Sequence, residues 1–209
     1  MLVGTAVALV GLTLVACGGP QYHYVKSTKS QAFFKVPSAW KLYNEDMLLA
    51  GQQLTDQQLK AAKAQIWTLA FDASPKPSLD HVLDASTNPW GFAKSRLLSP
   101  QERDAYSLSD LRKELLPVDP AATDSAATAG VELLSVRDLN RAGGLRGNEF
   151  VATLRNSSSD KAVTFHQIAL VDAKTSRVDI LAVGCQADCY KSNERLINSI
   201  IASWTVKER

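Results

Sequence analysis

The spacing of hydrophobic positions changes several times along the chain, and each change predicts an element. Leu2 to Val15 is an unbroken run of apolar and small residues, LVGTAVALVGLTLV. A helix packed on a core would show polar positions at a helical period, and this run shows none. It falls short of the roughly 20 residues that cross a bilayer core and fits the apolar region of a secretory signal. Over 17–31 polarity rises and periodicity disappears, so this stretch reads as a flexible tether, with His23 solvated between Tyr22 and Tyr24. Its lysines, Lys26 and Lys29, could rest near anionic head groups. Residues 32–36 (AFFKV), stopped by Pro37, and residues 40–43 (WKLY) predict two short strands. Thr55 with Gln58 three positions later is a capping box that opens the helix TDQQLKAAKA, and IWTLAF at 66–71 is a largely apolar strand.

Residues 72–117 form a long polar and helical excursion containing Pro75, Pro77, Pro89, Pro100 and Pro117. Short helices are predicted over 79–84, from the Ser99 cap with Pro100 at the first helical position, and over 109–116. Residues 119–130 (DPAATDSAATAG) hold few large apolar side chains and read as a flexible loop. Strands follow at 131–136, 148–155, 163–171 and 177–183, with turns at 143–147, 156–160 and 172–176. Connections this short between successive strands mean antiparallel pairing. In the last helix, over 192–204, Leu196, Ile197, Ile200, Ile201 and Trp204 make one apolar stripe, so this helix packs on the sheet.

The apolar run ends in Leu14-Val15-Ala16-Cys17, followed by Gly18-Gly19-Pro20. This resembles the bacterial lipobox, although no Lys or Arg precedes the apolar run. The resemblance implies cleavage before Cys17, a diacylglycerol on its sulfur, and a new amino terminus there. Two acyl chains anchor stably where one does not. The chain would then divide into a signal peptide (1–16), the tether (17–31) and a single globular domain (32–209), held at the extracytoplasmic face of a membrane. Lipidation of Cys17 also resolves an odd cysteine count, leaving Cys185 and Cys189. In an oxidising compartment that pair reads as a disulfide. A redox pair is disfavoured because the spacing is not Cys-x-x-Cys. A zinc site is disfavoured because His23, His81 and His166 are scattered singly.

The opening Phe33-Phe34-Lys35-Val36-Pro37-Ser38-Ala39-Trp40, the meander of strands, and the closing Ile197-Asn198-Ser199-Ile200-Ile201-Ala202-Ser203-Trp204 together resemble the PsbP-like family. That likeness spans most of 32–206 in order and is hardest to follow over 72–117. It implies an α+β fold, an antiparallel sheet with helices packed on both faces, and a binding or assembly role. It carries across no catalytic residues. Lipobox-bearing members of the family resemble actinobacterial envelope lipoproteins.

Composition adds bounds. With 209 residues and 45% apolar content the chain can build a real core. Lys and Arg (23) nearly balance Asp and Glu (21), which argues against a dedicated nucleic-acid binder. There is no Gly-x-Ser-x-Gly elbow, Ser-x-x-Lys or His-Glu-x-x-His. Gly143, Gly144 and Gly147 lack a following Lys-Ser/Thr and read as a turn. Asp80 and His81 are adjacent, and adjacent helical residues point about 100° apart, so they do not form a base and its orienting carboxylate. His166 alternates with Thr164 and Ile168 on one strand face as a packed or partly exposed residue, and Asn156-Ser157-Ser158 reads as turn chemistry. Trp90 and Phe92 flank a glycine inside the polar excursion. They are anchors of that excursion, the favoured reading, or else the candidate partner-binding residues, since aromatics dominate interface hot spots. The expectation is a non-catalytic, lipid-anchored binding module, with no cofactor or metal and an unidentified envelope protein or ligand as partner. The alternatives are a hydrolase of cell-wall or lipid material, which predicts His166 or His81 beside a carboxylate in a polar pocket, and a lipid carrier, which requires a large apolar cavity.

Overall fold

The computed structural model describes residues 21–50, 53–155 and 161–207. Along them run β1 (Tyr22–Lys26), β2 (Ala32–Pro37), β3 (Lys41–Tyr43), α1 (Glu45–Leu49), α2 (Asp56–Gln65), β4 (Ile66–Asp72) and β5 (Trp90–Leu97). Then come α3 (Pro100–Ala105), α4 (Leu108–Arg112), α5 (Thr123–Thr128), β6 (Val131–Asn140), β7 (Arg146–Arg155), β8 (Ala162–Val171), β9 (Arg177–Gln186), α6 (Ala187–Ala202) and β10 (Thr205–Val206). A seven-stranded sheet has the order β3-β4-β5-β9-β8-β7-β6, and a three-stranded sheet the order β1-β2-β10. Every neighbouring pair is antiparallel.

Both faces of the large sheet are covered, and strand alternation decides what meets what. One face presents Leu69, Phe71, Ala93, Ile168, Leu170, Leu181 and Val183. These pack against Ile197, Ile200, Ile201 and Trp204 around α6, and against Phe34, Val36 and Trp40 from the small sheet and its turn. The other face presents Trp90, Val131, Phe150, Ala152 and Phe165 to Leu116 and Ala126. Farther along that face Ala169, Val171, Val178 and Ile180 meet Leu98 and Leu111. The fold is therefore α+β, with α6 on one face and α3, α4 and α5 on the other. Two buried amides also tie α4 down: Asn148 Nδ2 donates to the Leu108 carbonyl at 3.0 Å, and Gln167 Nε2 to the Leu111 carbonyl at 3.2 Å. Beside them Arg96 reaches Glu114 (2.6 Å) and Glu102 (2.8 Å), Lys94 reaches Glu114 (3.1 Å), and the Tyr106 hydroxyl donates to Glu114 at 2.6 Å.

Four expectations from sequence change here. The tether over 17–31 is interrupted: Tyr22–Lys26 pairs with β2 and buries Val25, so the folded body begins ahead of position 32. Only Val25 points firmly inward, and a single apolar position does not register as a strand. The excursion over 72–117 contains β5, which lies between β4 and β9. Its Lys94 and Arg96 mask the alternation, because they are satisfied by Glu114 rather than by water. The loop over 119–130 holds the helix α5, with Ala126 buried. The last helix starts at Ala187, directly after β9. The capping boxes of Thr55 with Gln58 and of Ser99 with Glu102 form as expected, and Gly143 and Gly144 turn the chain with φ of 77° and 75°. The signal segment, Cys17 and the turn at 156–160 lie outside the described residues.

Candidate functional site

A groove of about 430 Å³ lies between β6 and α6, lined by Leu134 to Arg137, Glu149, Val151, His166, Tyr190, Glu194 and Asn198. Its floor is strand chemistry. Val151 sits opposite His166 in the β7–β8 register, and Glu149 two positions along, so all three share a face. One wall is α6, where Tyr190, Glu194 and Asn198 recur every four residues and form a single stripe. The other wall is β6, the edge of the sheet. A register shift between Leu133 and Ser135 makes Leu134 an extra residue, and so brings Leu134 and Ser135 to the groove together. Leu134 is 52% exposed at the rim, whereas Val136, 44% exposed, pairs with Phe150 and so faces the other side of the sheet.

The polar groups on the floor hold one another. His166 Nε2 lies 2.9 Å from Glu149 Oε1, and its Nδ1 lies 3.0 Å from Asn198 Oδ1. Arg137 Nη2 donates to Glu149 Oε2 at 2.7 Å. The hydrogen bond from the His166 ring holds the Glu149 carboxyl at about 2, against the opposing effect of burial and with the help of Arg137. Burial pushes the Tyr190 hydroxyl up to about 12, and the carboxylates of Glu194 and Glu149 add to it. With both ring nitrogens engaged, His166 has no free nitrogen with which to abstract a proton. The arrangement suits recognition: an apolar rim above a fixed set of hydrogen-bonding groups.

The opposite face has two other depressions. One, of about 510 Å³, is lined by Arg96, Glu102, Tyr106 and Glu114, whose charges already satisfy each other. The other, of about 530 Å³, runs between α5 and β6 over Ala126, Ala127, Gly130 and Leu133. Neither gathers polar side chains around a histidine.

The residues singled out from sequence fall as follows. Cys185 and Cys189 are joined by a disulfide, which ties the end of β9 to the first turn of α6. Trp90 is 1% exposed, and its Nε1 donates to the Asp84 carbonyl at 2.8 Å. Phe92 is half-buried two positions along β5. Trp90 is thus too buried to meet a partner, whereas Phe92 is only half-buried. Pairing on both edges of β5 and burial under the excursion make Trp90 a core anchor. His81 pairs with Asp72 rather than with Asp80: Nδ1 lies 2.7 Å from Oδ2 of a fully buried carboxylate, which also accepts from the Ser74 and Ser78 amides. Both histidines thus stand beside carboxylates, as the hydrolase reading required. At His81, however, no hydroxyl or thiol among the described residues is hydrogen-bonded to the ring. No group of three or more metal-ligating side chains occurs among the described residues. Sequence reasoning missed Glu149, Asn198, Arg137 and Asp72. The parity of Glu149 and His166 on their strands was visible, but the register that makes them diagonal neighbours was not.

The fold and groove define an antiparallel α+β sandwich with a cleft at one sheet edge. By sequence, no family model and no curated protein matches the chain. Among solved structures it is similar to cyanobacterial PsbP (CyanoP) from a Synechocystis species, at 12% identity over 93% of this chain and 99% of that one, with a TM-score of 0.44. It is similar to LpqN, involved in cell envelope biogenesis of Mycobacterium tuberculosis, at 12% identity over 90% and 91% of the two chains and a TM-score of 0.47. It is similar also to the Ran-binding protein Mog1p of Saccharomyces cerevisiae, at 12% identity over 88% and 95% and a TM-score of 0.45. These likenesses concern the arrangement of strands and helices and carry nothing about activity.

Proposed function

We propose that the chain is a lipid-anchored, extracytoplasmic binding module of the cell envelope, and that the groove between β6 and α6 is its binding site. The observation that carries the binding role is the closed set of His166, Glu149, Asn198 and Arg137 beside the exposed rim residue Leu134. Such a set holds its geometry without a ligand and presents both apolar and polar contacts to one. The address is supported by the lipobox at Cys17 and by a disulfide that fits an oxidising compartment. No helix among the described residues is long and apolar enough to cross a membrane.

Intact-mass analysis of the native chain tests the anchor. The expected product begins at Cys17 and carries a diacylglycerol; a chain still bearing Met1 and a free Cys17 overturns it. The groove is tested by capture from envelope extract with the wild type and with Leu134→Glu, which places a charge on the exposed rim of the groove. Loss of the retained species in the variant, with an unchanged melting curve, is expected. Equal retention, or turnover of an envelope substrate with nothing retained, overturns the binding role. The Asp72–His81 pair favours a second reading, a hydrolase. It requires turnover that disappears in His81→Gln.

A further inference from the structure

The small sheet has two faces of opposite character. Val25, Phe34, Val36 and Val206 point into the core. On the outer face the register sets Tyr22 beside Pro37, Tyr24 beside Lys35, and Lys26 and Thr205 on either side of Phe33. Lys207, just past β10, reaches back over the same ring, with Nζ 5.5 Å from the Phe33 centroid; Lys26 is 5.8 Å from it, and Lys35 is 4.7 Å from the Tyr22 centroid. Tyr24 is 78% exposed. None of these eight residues is acidic, although the whole chain carries almost as many acids as bases. A face of aromatic rings and lysines, with no carboxylate among these eight residues, is thus held out to solvent.

We infer that this outer face is a membrane-docking surface for an anionic bilayer, seated by Tyr22, Tyr24 and Phe33 and steered by Lys26, Lys35 and Lys207. Tyrosine and phenylalanine beside lysine suit the head-group region, where a ring lies at the apolar boundary while the ammonium group meets phosphate. Orientation rests on the anchored reading above. Tyr22 follows Cys17 by five residues, so the sheet stands within about 18 Å of an acyl attachment there. A lipid anchor alone fixes distance and leaves the body free to tumble; this face would fix which side meets the lipid.

The test uses residues 17–209 with Cys17→Ser, which retains every described contact and carries no acyl chain, so its result does not depend on the anchor. Flotation with phosphatidylcholine vesicles, with and without phosphatidylglycerol, is the readout. The wild type is expected to float with the anionic vesicles, less so as salt rises, and not with the neutral ones. The triple variant Lys26→Gln, Lys35→Gln, Lys207→Gln should lose about fivefold in partition per lysine. Tyr24→Ala should weaken binding while leaving the salt dependence in place. All of these positions lie on the outer face, and melting curves verify folding. Failure of the wild type to float with anionic vesicles, or equal flotation of the triple variant, overturns the proposal. An unmodified Cys17 in the native chain overturns only the anchor.

Discussion

Glu149 ties the chemistry of the groove to the stability of the fold. Its folded carboxyl is depressed to about 2, from an ordinary value of 4.5. A depressed carboxyl contributes stability that is present above its unfolded value and lost as pH falls through its folded one. The contribution is therefore intact at neutral pH and disappears between about pH 5 and pH 2. Glu149→Gln should flatten the fall of the urea midpoint across that window relative to wild type; an unchanged slope would separate Glu149 from acid stability. Trp90 makes the complementary point. Its fully buried indole fills the core under the excursion, so Trp90→Ala should cost about 3–5 kcal/mol in urea unfolding. That loss would confound a partner-capture experiment, because weaker capture would follow from a destabilised fold as readily as from a lost contact. At this scale the aromatic pair was visible in the sequence but its direction was not. Exposure depends on the strands paired on either side of β5, and those lie far away along the chain.

Local elements were legible where the deciding interactions are local. The stripe on α6 and the boxes Thr55–Gln58 and Ser99–Glu102 depend on neighbours within four residues, and they appear as read. β1, β5 and α5 depend on distant contacts, and each was hidden by residues whose partners lie elsewhere: Tyr24 opposite Lys35, Arg96 against Glu114, Ala126 under the sheet. The disulfide belongs to this scale as well. It closes a short loop between β9 and α6, so its effect on the unfolded chain is modest, about 2 kcal/mol. Replacing both cysteines by alanine should lower stability by about that amount and leave the sheet intact. A collapse of the fold, measured as loss of cooperative unfolding, would mean that the bridge determines the docking of α6 rather than trimming its entropy.

Over the whole molecule, the two faces of the large sheet are held by different physics. The α6 face is closed by aliphatic and aromatic packing. On the other face, the layer of α3 and α4 is latched by charge. Burial pushes the Glu114 carboxyl up, yet hydrogen bonds from Arg96 and Tyr106 and the charge of Lys94 leave it below its ordinary value. Removing this acid leaves Lys94 without its carboxylate and Arg96 with Glu102 alone, and since breaking a fully buried pair costs on the order of 3–5 kcal/mol, the loss here should fall below that range. The cost should fall unevenly. The α3–α4 segment meets the sheet through few apolar side chains, Leu98, Leu111 and Leu116 among them, whereas β8 and β9 are buried on both sides. In Glu114→Ala, amide exchange should therefore accelerate over 100–117 well before it does in β8, β9 and α6. Uniform acceleration across both faces would show that the sheet and its two helical layers unfold as one unit and that the latch is no separate element. Acceleration confined to the α3–α4 layer would leave the groove beside α6 formed, and ligand retention by this variant should then match the wild type.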